Sequence, residues 1–119
     1  MVPSATGSVL IVDDEPGVRA LVRDILRDEG YRVVHAGDPW EALDVAESHP
    51  ISLLLTDVMM PAMNGYELAM RIESLHPHTK VLFMSAYELH GRLVPTPNFI
   101  AKPFTVDGIV QAVSEVLSQ

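Results

Sequence analysis

Five polar residues stand out because of what they follow. Asp13 and Asp14 close the apolar run SVLIV that begins at Ser8, and Asp57 closes SLLLT from Ser52. Ser85 closes KVLFM from Lys80, and Lys102 follows the short stretch NFIA from Asn98. An acid at the end of a buried strand can cap a helix, hold a hard cation or act as a nucleophile, and one alone decides nothing. Several carboxylates held together are different. A pair 4 Å apart repels by about 1 kcal/mol in water and about 4 kcal/mol at an effective dielectric of 20. A divalent cation relieves that repulsion, and two or three carboxylates with a main-chain carbonyl and waters suit Mg2+. With the Lys102 ammonium and the Ser85 hydroxyl around one carboxylate, the set becomes a receptor for a phosphoryl group carried on that carboxylate.

Such convergence needs a scaffold, and the hydrophobic pattern supplies one. Ser8–Asp13 reads as a strand buried on both faces. Asp14, Glu15, Pro16 and Gly17 open a helix that Gly30 stops, with Val18, Leu21, Val22 and Ile25 at helical spacing. Tyr31–Ala36 is a second strand, and Pro39–Ser48 a second helix with Ala42, Leu43 and Ala46 on one side. Ser52–Asp57 repeats the strand ending in aspartate, and Gly65–His76 is a helix presenting Leu68, Ile72 and Leu75. Lys80–Ser85 and Asn98–Ala101 are further strands. Thr105–Leu117 closes as a helix with Val106, Ile109, Val110, Val113, Val116 and Leu117 on its inner stripe. Trp40 and Met70 read as packing residues, and the five histidines as surface or cap groups.

Strands alternating with helices predict an α/β fold: a doubly wound, five-stranded parallel sheet of order 2-1-3-4-5. In that order the switch point lies between strands 1 and 3, whose carboxyl ends carry Asp13, Asp14 and Asp57. Neighbouring strands run about 4.8 Å apart, so the acids meet at one rim.

Composition narrows the function. The 119 residues are one domain's worth, and 8 Lys and Arg against 16 Asp and Glu give a net charge of −8. That balance argues against direct nucleic-acid binding through phosphate attraction and against docking on anionic lipid. The absence of cysteine excludes disulfides and thiolate chemistry. The longest apolar runs fall far short of the roughly 20 residues of a membrane span, and residues 1–7 lack the pattern of a signal peptide. The expectation is a cytoplasmic domain over residues 8–119 preceded by a leader or linker at 1–7.

Four segments taken together resemble the receiver domain of bacterial two-component response regulators: VLIVDDE at 9–15, LLLTDVMMP at 53–61 with Asn64 and Gly65, VLFMSA at 81–86 and FIAKPF at 99–104. The resemblance covers residues 8–118. It implies a flavodoxin-like fold in which Asp57 accepts a phosphoryl group from a phosphohistidine. The donor would be a sensor histidine kinase or a histidine phosphotransfer domain. It further implies that Asp14, Asp57 and the Met59 main-chain carbonyl bind Mg2+ directly, with Asp13 acting mainly through a bound water. Lys102 would contact the phosphoryl oxygens, Ser85 would swing to bond one of them, and Phe99 would be the aromatic switch. Lys102–Pro103 resembles the family's cis peptide. By the same match the chain is no conventional enzyme, but catalyses its own phosphorylation and hydrolysis. Met59 and Tyr87 would flank the attacking water, which favours slow hydrolysis.

One departure stands out. The segment from Ala86 to Pro97 holds Gly91, Pro95 and Pro97 and has no room for a three-turn helix before the fifth strand. A shortened or irregular fourth helix resembles the receivers of hybrid sensor kinases, so the chain is read either as a stand-alone regulator or as part of such a kinase. A weak dimer stays open. Two other functions compete: a phosphorylation-independent docking module, which would need none of the five polar residues, and an aspartyl-phosphate phosphatase, which would place a second acid where Met59 stands.

Overall fold

The computed structural model describes residues 7–85 and 98–119. Its elements are β1 (Ser8–Val12), α1 (Pro16–Asp28), β2 (Val33–Ala36), α2 (Pro39–Ser48) and β3 (Ile51–Asp57). They continue with α3 (Gly65–Leu75), β4 (Lys80–Ser85), β5 (Phe99–Ala101) and α4 (Val106–Leu117). All four strand pairings are parallel and the order is β2-β1-β3-β4-β5, as the sequence predicts. Every residue of β1 is buried, because helices cover both faces of the sheet. One core layer joins Leu10, Val12, Leu54 and Phe83 to Ala42 and Ala46 of α2 and Leu68 and Ile72 of α3. The other joins Val9, Ile11, Leu53, Leu55 and Met84 to Val22 and Leu26 of α1 and Ile109 and Val113 of α4. Alternate residues of one strand thus feed opposite layers.

Local chemistry sets the boundaries. The second strand starts at Val33 and not at Tyr31, because residues 29–31 close α1 first. Gly30 takes φ 94°, its N–H donates to the Arg27 carbonyl at 3.0 Å, and the Tyr31 N–H donates to Leu26 at 3.1 Å. That is the Schellman pattern, and only glycine adopts its left-handed residue without strain. Side-chain caps start three helices: Asp38 accepts from the Glu41 N–H, Asn64 from Glu67 and Thr105 from Gly108, each at 2.9 Å.

The inner stripes differ from the sequence reading in phase. Leu21 is exposed and Leu26 is buried in its stead. Leu75 and Val106 lie at helix ends and are exposed, as are Trp40 and Met70, which therefore are not packing residues. Trp40 instead carries the Arg71 guanidinium 5.6 Å from its ring centroid. Among the described residues no helix is long and apolar enough to cross a membrane. The expected leader before Gly7 and the expected fourth crossover, including Tyr87, fall outside the described residues.

Candidate functional site

Three strand ends and one loop build a polar cluster at the carboxyl rim of the sheet. Asp13 is the first residue beyond β1, Asp57 the last of β3, Ser85 the last of β4, and Lys102 the first beyond β5. Parallel pairing makes them neighbours: Val12 faces Thr56, Asp57 faces Met84 and Ser85 faces Ala101. Beyond the paired residues, the Lys102 N–H donates to the Ser85 carbonyl at 2.8 Å and the Val58 N–H to Met84 at 2.9 Å.

Lys102 bridges the buried acids. Its Nζ donates to Asp13 Oδ2 at 2.8 Å and to Asp57 Oδ2 at 3.1 Å, and lies 3.5 Å from Glu15 Oε1. The other carboxylate oxygens take main-chain donors: Asp13 Oδ1 accepts from the Glu15 N–H at 2.9 Å and Asp57 Oδ1 from the Met59 N–H at 3.2 Å. Asp13, Asp14 and Asp57 each offer an oxygen, and these lie within 4.8 Å of one another. Asp13 and Asp57 are buried, and Asp14 is exposed.

Burial pushes the Asp57 carboxyl above its usual range and the Asp13 charge adds to that push, while the Lys102 ammonium and the Met59 N–H oppose it. Burial also acts to lower Lys102, but its hydrogen bonds and charge contacts with Asp13 and Asp57 overcome this and hold the ammonium above its ordinary value. Lys102 therefore stays charged, and one ammonium answers three carboxylates. Closely spaced oxygens with excess negative charge are what a hard divalent cation requires.

Two local features hold the β3 end in place. Gly65 opens α3 directly over it, and a Cβ there would collide with the Asp57 carbonyl oxygen. The Gly65 N–H donates to the Val58 carbonyl at 2.9 Å, closing the intervening loop, in which Ala62 takes φ 72°. The Lys102–Pro103 peptide is cis, in line with the sequence reading.

Of the residues singled out from the sequence, the structure thus gathers Asp13, Asp14, Asp57 and Lys102, with Ser85 joined through its main chain and its side chain buried. Met59 enters through its N–H and its side chain points to solvent. Phe99 pairs with Phe83 in the sheet, half-buried against the α2–α3 layer. Asp14 does not cap α1: the cap position is Glu15, with no side-chain cap bond, and Asp13 holds the Glu15 N–H instead. The sequence reading did not single out Arg19, whose Nη1 donates to the Asp13 carbonyl at 2.7 Å.

A family model described as the response regulator receiver domain matches residues 9–114. The chain belongs to that family. It is 33% identical over 114 residues to sporulation initiation phosphotransferase F of Bacillus subtilis, covering 92% of each chain. It is 32% identical over 123 residues, covering 98% of this chain, to sensor kinase CckA of Brucella abortus, of which it spans 13%. Among solved structures it resembles response regulator TrrA of Thermotoga maritima in complex with Mg2+ and BeF, with a TM-score of 0.81, 28% identity and coverage of 93% and 99%. This is a receiver domain of two-component signalling, a phosphoacceptor module and not a conventional enzyme. Domains of this kind take phosphoryl groups from histidine kinases. Similar domains occur both alone and inside longer chains.

Proposed function

We propose that Asp57 is the phosphoacceptor and that the cluster around it catalyses transfer from a phosphohistidine of a sensor kinase or a histidine phosphotransfer domain. The observation that carries this reading is the shared lysine: one ammonium bonded to both buried acids, with a third acid within 4.8 Å. In the transfer, an Asp57 carboxylate oxygen attacks phosphorus, the N–P bond breaks and the imidazole leaves with the bonding pair. Negative charge spreads over the phosphoryl oxygens in the loose transition state, and Lys102, already beside the acceptor, stabilises it. Asp14, Asp57 and the Met59 carbonyl are the groups to hold Mg2+, with Asp13 acting through a water, and the ion when bound neutralises further charge on those oxygens.

After transfer, the Ser85 hydroxyl bonds a phosphoryl oxygen and Phe99, half-buried beside Phe83, turns inward as the switch. Exposed Met59 offers no group to orient a hydrolytic water, which favours a long-lived phosphoryl group. Residues 8–119 form the receiver unit and 1–7 a leader or linker, with a cytoplasmic location. The test is incubation with acetyl phosphate and Mg2+ followed by intact mass. One added phosphoryl group, lost when EDTA replaces Mg2+, is the expected result; no mass gain would overturn the reading.

A further inference from the structure

The loop joining β1 to α1 carries two acids, and it holds them in different ways. Asp13 is tied at every polar atom. Its N–H donates to the Ala36 carbonyl at 3.3 Å, Oδ1 accepts from Glu15, Oδ2 accepts from Lys102, and its carbonyl accepts from Arg19 Nη1 at 2.7 Å. Asp14 is exposed, and its carboxylate has no hydrogen bond or ion pair among the described residues. Its position therefore depends on the peptide plane it shares with Asp13, and the oxygen of that plane is the atom Arg19 holds.

We propose that Arg19 is a positioning residue for the cation site, fixing the Asp13 carbonyl and through it the placement of Asp14. The proposal rests on the reading of Asp14 as a Mg2+ ligand. Groups that hydrogen-bond the residues of a metal site help to orient its ligands and hence set the metal affinity. A freed carbonyl would turn towards water and the 13–14 peptide would rotate with it, leaving the Glu15 N–H bond to Asp13 Oδ1 as the remaining tie across Asp14. The other arginines on the same face of α1 cannot substitute. Arg23 bonds Asp24 through Nε at 2.9 Å, and Arg27 bonds the Val33 carbonyl at 3.3 Å.

A second observation shows that the fold makes room for this contact. The guanidinium reaches the Asp13 carbonyl past Gly37, in the turn between β2 and α2. A Cβ at Gly37 would lie 2.9 Å from Arg19 Nη1 and 3.4 Å from Cζ. The backbone does not demand glycine there, since Gly30 is the one described glycine at positive φ. The absent side chain thus serves the arginine. The atoms nearest an added methyl group at position 37 belong to the Arg19 guanidinium, which gives an independent way to break the same link.

The experiment is titration calorimetry of Mg2+ into the unphosphorylated chain and into Arg19→Ala, Arg19→Lys, Gly37→Ala and the double variant Arg19→Ala/Gly37→Ala, each shown folded by circular dichroism. Arg19→Ala should weaken Mg2+ binding about tenfold, the low end for such partners. Gly37→Ala should weaken it in the same direction, and Arg19→Lys, which restores one donor, should recover part of the loss. The double variant should be no weaker than Arg19→Ala, because the new methyl group then displaces nothing. An Arg19→Ala affinity within twofold of the unaltered chain, or additive losses in the double variant, would overturn the proposal. Should the unaltered chain fail to bind Mg2+, the cation reading of Asp14 falls instead, and that control separates the two failures.

Discussion

At the amino end of the sheet the buried Thr79 hydroxyl donates to the Ile51 carbonyl at 2.6 Å, and His76 Nε2 meets the Ala46 carbonyl at the same distance. At the carboxyl end Asp13 and Asp57 compete for one lysine beside a third acid. Both ends bury polar side chains, but the first matches a hydroxyl and a ring nitrogen to main-chain acceptors. Its hydrogen bonds fasten strand and helix ends, which is a folding role. The second gathers more negative charge than it neutralises. Buried ionic clusters are often no more stable than apolar residues of the same volume, so folding alone gives no reason to keep this one. The contrast separates polarity that completes the fold from polarity reserved for a phosphoryl group and a cation.

The largest effect should come from Lys102→Ala. It removes the one ammonium between two buried carboxylates, so phosphorylation by acetyl phosphate should slow by about 100-fold or more. Stability should fall by about 3 kcal/mol, the low end for breaking a buried ion pair. A rate within a few-fold of the unaltered chain would dissolve the contrast. Thr79→Val, at the opposite end, should cost about 1–2 kcal/mol in denaturant unfolding by leaving the Ile51 carbonyl unpaired. Its phosphorylation rate should not change; a slowed rate would show that the two ends are not separate in function.

Bound cation offers a smaller and reversible lever. At a Mg2+ concentration ten times its Kd, selective binding to the folded chain should add about 1.4 kcal/mol. Asp14→Ala should lose most of that gain in a thermal melt, whereas Thr79→Val should keep it. The smallest effect is a dependence of stability on pH. Asp57 titrates above its ordinary value in the fold, so its contribution is most favourable below the unfolded carboxyl pKa of about 3.9 and is lost as pH rises through the raised folded value. Asp57→Asn lacks that loss. Its stability relative to the unaltered chain should therefore rise between acid and neutral pH, and a flat difference would mean that Asp57 is not strained by burial and by Asp13.

Much of this was legible in the sequence, for identifiable reasons. Continuous apolar runs ending in Asp13, Asp57 and Ser85 encode buried parallel strands, so both the strand order and the meeting of the acids followed from topology. Helix phase was less legible. Leu21 and Leu26 both fit a helical period, and only contact with α4 and the sheet selects Leu26. Trp40 and Met70 look like core by residue type, yet both sit on outer helix faces, a placement composition does not report. Arg19 and Gly37 gave no signal, because a guanidinium reaching a main-chain carbonyl past a glycine depends on distances between one helix and two loops and not on any spacing along the chain.

The most direct test maps the phosphoryl group itself. Acetyl phosphate and Mg2+ should load the unaltered chain once, and digestion after borohydride reduction of the acyl phosphate should place the modification at Asp57 by tandem mass spectrometry. Asp57→Asn should show none. Modification at Asp13 or Asp14, or undiminished labelling of Asp57→Asn, would contradict the assignment of Asp57 as the phosphoacceptor.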